Sequence, residues 1–227
     1  MSNMNRLQRF FLFIFLLVSI TDIIAILNDN SLWQTISKPL IIPALAAFYI
    51  SGSKSRNKLY VLALIFSFLG DVLLLDKSNL FLFGIAAFLM TQLLYIAIFS
   101  KGLGKSTLTQ KFSALFPFSL FFIILISILR PGLNDFLIPV VIYGLAISVF
   151  GSVSLLRYLV IKNGASLLLL IGAILFILSD SLIALNKFHE PRAFYSVTIM
   201  LTYIAAQYLI SLFMLKSEKN TSLHNDD

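Results

Sequence analysis

The run GASLLLLIGAILFILSDSLIALNKF (residues 164–188) is apolar over a bilayer-crossing length from Gly164 to Leu185, yet it holds Asp180 within it. LYVLALIFSFLGDVLLL (59–75) repeats the pattern around Asp71. A helix needs about 17–25 predominantly apolar residues to cross the hydrocarbon, so each run reads as a membrane helix. An ionisable side chain at the bilayer centre costs roughly 2.5–3.5 kcal/mol on insertion scales. Two such residues, in two helices, need a reason.

The rest of the chain supports the membrane reading. Its 227 residues are 59% hydrophobic and 12% charged, against about 25% charged in soluble domains. Apolar runs at 10–27, 33–50, 59–75, 80–99, 112–129, 136–156, 164–185 and 193–215 predict an all-α, polytopic membrane protein, a bundle of eight transmembrane helices. The second run is interrupted by Pro39 and Pro43, which neighbouring helices can accommodate by re-satisfying freed backbone groups. Arg6 and Arg9 precede a first run that is long and lacks a small-residue cleavage site, so it is read as a retained helix. The expected organisation is a transmembrane catalytic domain over 1–215 and a polar, unstructured cytoplasmic tail over 216–227.

Charge sets the orientation. Arg6, Arg9, Lys54, Arg56, Lys58, Lys101, Lys105, Lys111, Arg157, Lys162, Lys216 and Lys219 fall on one side, and Lys38, Lys77, Arg130, Lys187 and Arg192 on the other, twelve against five. The positive-inside rule then places both termini in the cytoplasm, and a multi-pass bacterial inner-membrane protein is the expected setting. The net charge of +7 is thus topological and implies no nucleic-acid partner. The absence of cysteine excludes disulfides and thiolate chemistry.

With that topology, and about 1.5 Å of rise per residue, Asp71 and Asp180 lie at similar depth in the outer half of the bilayer. Asp22 and Tyr143 reach a similar level, and Lys38 begins the second helix near the outer surface. Helical spacing of three and four aligns Ser67, Gly70 and Asp71 in the third helix, and Gly172, Phe176, Ser179 and Asp180 in the seventh. Gly84, Phe88, Gln92 and Tyr95 form a stripe on the fourth helix, and Ser196, Tyr203, Gln207 and Ser211 one on the eighth. Neutral polar residues in membrane helices often only hydrogen-bond across the bundle, at about 0.6 kcal/mol each. Asp22 fits a pairing partner or a pocket-lining residue equally well. A buried acid is poor glue, so Asp71 and Asp180 are the candidates for chemistry.

His189 falls in a loop and His224 in the tail, so the spans hold neither a His–carboxylate metal cluster nor a Ser-His-Asp set. Two carboxyl groups suit acid–base work when their surroundings let one hold a proton and the other stay ionised. Glycosidases divide labour this way across an acetal, and a membrane lipid with an acid-labile ether fits the same logic.

SDSLIALNKF (179–188), IMLTYIAAQYLI (199–210) and FSFLGDVLLL (66–75) resemble the lysoplasmalogenase, or YhhN-like, family, as do Lys38-Pro39 and the helix of Phe88 and Tyr95. The resemblance implies an eight-helix membrane enzyme that hydrolyses the vinyl ether of lysoplasmalogens to a fatty aldehyde and glycerophosphoethanolamine or glycerophosphocholine. It places the family's two motif aspartates on Asp71 and Asp180. The supporting residues it suggests include Ser179, Asn186 and Lys187 of the SD–IALNKF block, with Gln92 and Tyr95 in the fourth span. Gln92 stands where the family often has histidine, and Ile204 where it often has a second tyrosine. Glutamine cannot titrate.

On this reading no cofactor and no metal are needed, and the partners are the lysophospholipid and membrane lipids. Tyr143, Tyr203 and Gln207 are expected to orient the ether oxygen and water, and Lys38 and Lys187 to attract the lipid phosphate. The competing class is a proton-coupled transporter, since intramembrane acids also mark proton relays. LGDVLL and LSDSLI, 109 residues apart (180 minus 71), hint at two similar halves. A lipid-binding scaffold without turnover ranks third.

Overall fold

The computed structural model describes residues 4–76 and 79–224, with side chains described as far as Glu218. Lys77, counted above on the outer side, and the side chain of Lys219 therefore lie outside the described residues. The helices are α1 (Arg6–Leu27), α2 (Ser31–Gly52), α3 (Lys58–Leu73), α4 (Phe81–Phe99), α5 (Leu108–Leu133), α6 (Leu137–Ile161), α7 (Gly164–Phe188) and α8 (Ala193–His224). No strand occurs among the described residues. This is a polytopic helical membrane protein. Six helical stretches are long and apolar enough to cross a bilayer, with the run Leu108–Ile161 counted as one. α3, at 16 residues, is shorter.

Five helices begin where the chain supplies a side-chain acceptor for their free N–H groups, whereas α4 and α6 have no side-chain cap. Asn5, Asn30, Asn57 and Asn163 accept from the backbone of Gln8, Trp33, Tyr60 and Ser166. Thr107 and Gln110 form a reciprocal capping box at α5. α5 and α6 are separated only by a 3-10 turn, Asn134–Phe136, where Asn134 takes a positive φ of 41°. Pro39 and Pro43 stay inside α2 without breaking it. The tail expected to be unstructured from Lys216 instead prolongs α8 to His224. The reason lies at that end of the bundle: Glu218 accepts hydrogen bonds from Tyr49 Oη and from Ser53 Oγ (2.5 Å), which tie α8 to the end of α2.

Sequential helices other than α4 and α5 pack against each other, and α1, α2, α3, α4, α6, α7 and α8 follow one another around a closed ring, α8 returning to α1. α5 stands outside the ring against α6 and α7. The two halves hinted at by LGDVLL and LSDSLI are not packed alike, because α1 rests on α8 whereas α5 rests on α7. In lipid there is little hydrophobic drive between helices, so contact rests on van der Waals fit, small residues and hydrogen bonds. A Cβ on Gly132 would meet the backbone of Phe188, at 2.9 Å from its carbonyl carbon, so only glycine lets α5 approach the end of α7. Leu7, Phe13, Ile24, Phe116 and Ile138 are among the large apolar side chains that face outward, as a lipid-facing surface requires.

Candidate active site

Asp71 and Asp180 are almost wholly buried, at 3% and 7% exposure, one on each side of the ring interior. Each accepts a hydrogen bond from a tyrosine of another helix. Tyr203 Oη of α8 donates to Asp71 Oδ2 at 2.8 Å, and Tyr143 Oη of α6 donates to Asp180 Oδ2 at 2.5 Å. In both cases the phenol donates to one carboxyl oxygen, Oδ2. The two carboxyls lie within electrostatic reach of each other.

The support behind Asp71 runs inward. Gln207 Nε2 donates to Tyr203 Oη (3.4 Å) and to Ser67 Oγ (3.0 Å), while its Oε1 accepts from Tyr95 Oη (2.8 Å). Ser67 donates to Thr91 Oγ1 at 3.3 Å, and Thr91 to the Ala63 carbonyl at 3.2 Å. With both ends of its amide engaged, Gln207 acts on the site through Tyr203. The α8 stripe thus faces α3 and α4 across the ring, as spacing by four on one helix face allows.

Gln92 occupies the corresponding place near Asp180. It is fully buried, its amide sits beside the Asp180 carboxyl and the Tyr143 phenol, and neither Nε2 nor Oε1 has a hydrogen-bond partner among the described residues. Ser179 Oγ donates to the Ile199 carbonyl at 3.0 Å and holds α7 to α8.

Between the carboxyls and the inner half of the molecule lies an aromatic floor. Phe88, Phe176 and Tyr203 form a triangle of edge-to-face pairs with centroids 5.6–6.2 Å apart. Gly70 makes room for it, since a Cβ there would come within 2.6 Å of the Phe88 ring.

Towards the predicted outer end a cavity of about 870 Å³ opens between α1, α2, α7 and α8. Asp22, Lys38, Asn186 and Lys187 line it. Asp22 Oδ1 accepts from Ser37 Oγ at 2.8 Å, while its Oδ2 is buried and has no hydrogen-bond partner among the described residues. Lys38 lies close enough to act electrostatically on both Asp22 and Asp71. Lys187 Nζ lies over the Phe81 ring at 4.3 Å, and Asn186 Oδ1 accepts from the Arg192 backbone at 3.2 Å. The aspartates themselves do not line this cavity. Leu74, Ile183 and Met200 do, each three residues outward of Asp71, Asp180 and Tyr203. The carboxyl-bearing residues therefore sit three residues, roughly 4.5 Å of helix rise, beneath the cavity wall.

Ser37, Thr91 and Tyr60 were not anticipated. Tyr60 Oη pairs with Ser211 Oγ at 2.6 Å, below the Gln207 layer. Ser37 precedes Lys38-Pro39 and the other two fall on the stripe faces of their helices, which was the available signal.

The YhhN family model matches residues 33–214, a range that holds both aspartates and both tyrosines but not Asp22. Lysoplasmalogenase TMEM86B of Homo sapiens is 34% identical over 199 residues, 84% of this chain and 79% of that protein. Lysoplasmalogenase TMEM86A of Bos taurus is 32% identical over 173 residues, 73% of this chain and 68% of that protein. Lysoplasmalogenase TMEM86B of Rattus norvegicus is 29% identical over 185 residues, 79% and 71% of the two chains. No solved structure matches significantly.

Proposed function

The chain belongs to the YhhN family, and from that membership and the geometry of the site we propose that it is a membrane hydrolase of the lysoplasmalogen vinyl ether. The observation that carries the reading is the pair of buried aspartates, each held by a phenol, three residues beneath a cavity lined by Lys38 and Lys187. The offset suits the substrate. Five bonds separate a lysophospholipid's phosphorus from its ether oxygen, about 6 Å on a chain geometry that spans about 3.8 Å in three. A phosphate held in the cavity therefore sets the ether at the level of the carboxyls.

One aspartic acid gives its proton to the β-carbon of the enol ether, leaving an oxocarbenium ion. The other, as carboxylate, stabilises that cation and draws a proton from the attacking water. The hemiacetal then collapses, its hydroxyl proton passing to the departing glycerol oxygen. Aldehyde and glycerophospho-alcohol leave, one water is consumed, and the pair again holds one proton. Tyr143 and Tyr203 orient the carboxyls, and Gln207 positions Tyr203. Lys38 and Lys187 attract the phosphate.

The topology proposed with this function is eight crossings with both termini in the cytoplasm, in a bacterial inner membrane. The twelve-to-five basic asymmetry supports it. α5 and α6 count as two crossings because the turn at Asn134–Phe136 lets them pack as a hairpin.

The test is aldehyde release from ethanolamine and choline lysoplasmalogens by the purified protein, with Asp71→Asn and Asp180→Asn beside it. Wild type should release aldehyde, and each variant should lose activity by at least about a thousandfold while remaining monodisperse. A variant that keeps most of its rate defeats the paired-acid mechanism. A folded wild type that releases nothing, but carries protons across a liposome membrane, would replace hydrolysis by transport.

A further inference from the structure

A second cavity, of about 770 Å³, lies at the opposite end of the bundle, between the α2–α3 loop, the end of α4 and the ends of α6 and α8. Nothing in the proposed reaction uses it. Four cationic side chains line it, Arg56, Lys58, Lys101 and Arg157, against one carboxylate, Glu218. That carboxylate is already occupied, since Tyr49 Oη and Ser53 Oγ donate to it and the Asn57 backbone N–H approaches at 3.4 Å. The N-terminus of α3 also opens here, through Lys58 and Leu59, and adds its partial positive charge.

Arg157 supplies the most pointed observation. Its Nη1 donates to the carbonyls of Phe99 (3.1 Å) and Lys101 (2.9 Å), and its guanidinium lies over the Phe213 ring at 5.3 Å. Its Nε, by contrast, is buried with no hydrogen-bond partner among the described residues. A permanently charged guanidinium with a buried, unused N–H favours an acceptor oxygen. The remaining wall is apolar, built from Leu59, Ile98, Phe99, Phe213 and Met214.

We propose that this cavity binds a phosphate-bearing anion, the head group of an anionic lipid in the leaflet facing it. The cations and the α3 terminus would receive the phosphate oxygens, with Arg157 Nε as one donor, and the apolar wall would receive the first part of the glycerol and acyl chains. Free inorganic phosphate shares the same recognition chemistry without the apolar contribution.

The experiment uses the purified full chain in neutral detergent. Native mass spectrometry would compare retention of phosphatidylglycerol with that of phosphatidylcholine. In parallel, thermal unfolding would be followed with inorganic phosphate against chloride at equal ionic strength. Wild type should retain phosphatidylglycerol about tenfold better than phosphatidylcholine, and Arg56→Gln with Lys101→Gln should remove that preference. Both positions are exposed and lie in loops; Lys101→Gln alone serves should the double variant not fold, and should reduce the preference severalfold. A phosphate-dependent rise in the unfolding midpoint that the variants lose, without lipid preference, would make the free anion the ligand. Equal retention of the two lipids with no phosphate effect, or a preference the variants keep, overturns the proposal.

Discussion

At the scale of the residue, the hydrogen bonds to the two carboxyls separate a structural from a functional role by magnitude. A hydrogen bond across a membrane bundle contributes about 0.6 kcal/mol on average, so Tyr203→Phe and Tyr143→Phe should each lower the unfolding midpoint only slightly. Misplacing a catalytic group can cost about a hundredfold in rate, so kcat for aldehyde release should fall by ten- to a hundredfold. Equal, small losses in both quantities would make the tyrosines mere packing. The one salt bridge among the described residues, Arg192–Glu190 at 2.7 Å, lies in the exposed α7–α8 loop. Arg192 holds the Glu190 carboxyl below its ordinary value of 4.5. What the pair contributes is present above that pH and lost as the pH falls through the lowered value. Because the pair is fully exposed and screened, Glu190→Gln should leave the midpoint at pH 7 unchanged within about 2 °C, and a larger drop would assign the loop a structural task.

Individual aspartates could be picked out because the bilayer makes a charge expensive wherever it sits. Tyr143 and Tyr203 could be picked out as well, but not which aspartate each would hold, because Tyr143 and Asp180 are 37 residues apart and Tyr203 and Asp71 are 132 apart. No local pattern encodes which helix faces which. The membrane helices were legible from apolar runs of spanning length, and their ends agree with the structure within a few residues for most elements. The exception is the inner end of α8, where polar composition pointed to a loose tail. There Glu218 is fixed by Tyr49 and Ser53, partners more than 160 residues away that a local reading cannot supply.

Elements are most constrained where backbones touch. At Gly132, an added methyl would run into the Phe188 main chain, which cannot rotate aside as a side chain can. Gly132→Ala should therefore cost about 1–3 kcal/mol or more, visible as a lower unfolding midpoint. It should also disturb the Phe81, Phe136 and Phe188 rings, whose centroids lie 5.3–5.9 Å apart at the cavity end. Gly164→Ala is the matched control. Nothing lies within 4 Å of its added Cβ, so it should be neutral or slightly stabilising. If both variants behave alike, the tight α5–α7 approach is not a determinant of stability.

For the whole molecule, the ring of seven helices with α5 outside was hidden from the sequence, since every one of these helices is apolar and only the contacts reveal which is peripheral. The proposed orientation can be tested directly, because the chain contains no cysteine. Asp135→Cys, in the α5–α6 turn, should react with a membrane-impermeant maleimide added to intact cells. Ser55→Cys, in the α2–α3 loop, should react only after the cells are opened. The reverse pattern would invert the topology and with it the side on which the 870 Å³ cavity opens.

The vertical step between that cavity and the carboxyls has a consequence for what happens after bond cleavage. Under the proposed reaction, the fragment that retains the phosphate is water-soluble and would sit at the mouth; the fragment cut away is oily and would begin deeper, among helices whose outer faces meet lipid. Hydrolysis in this arrangement is also a sorting step. With the proposed substrate and topology, the glycerophospho-alcohol would return to the aqueous phase outside, whereas the aldehyde would enter the bilayer, and an enzyme that removes it would collect it there.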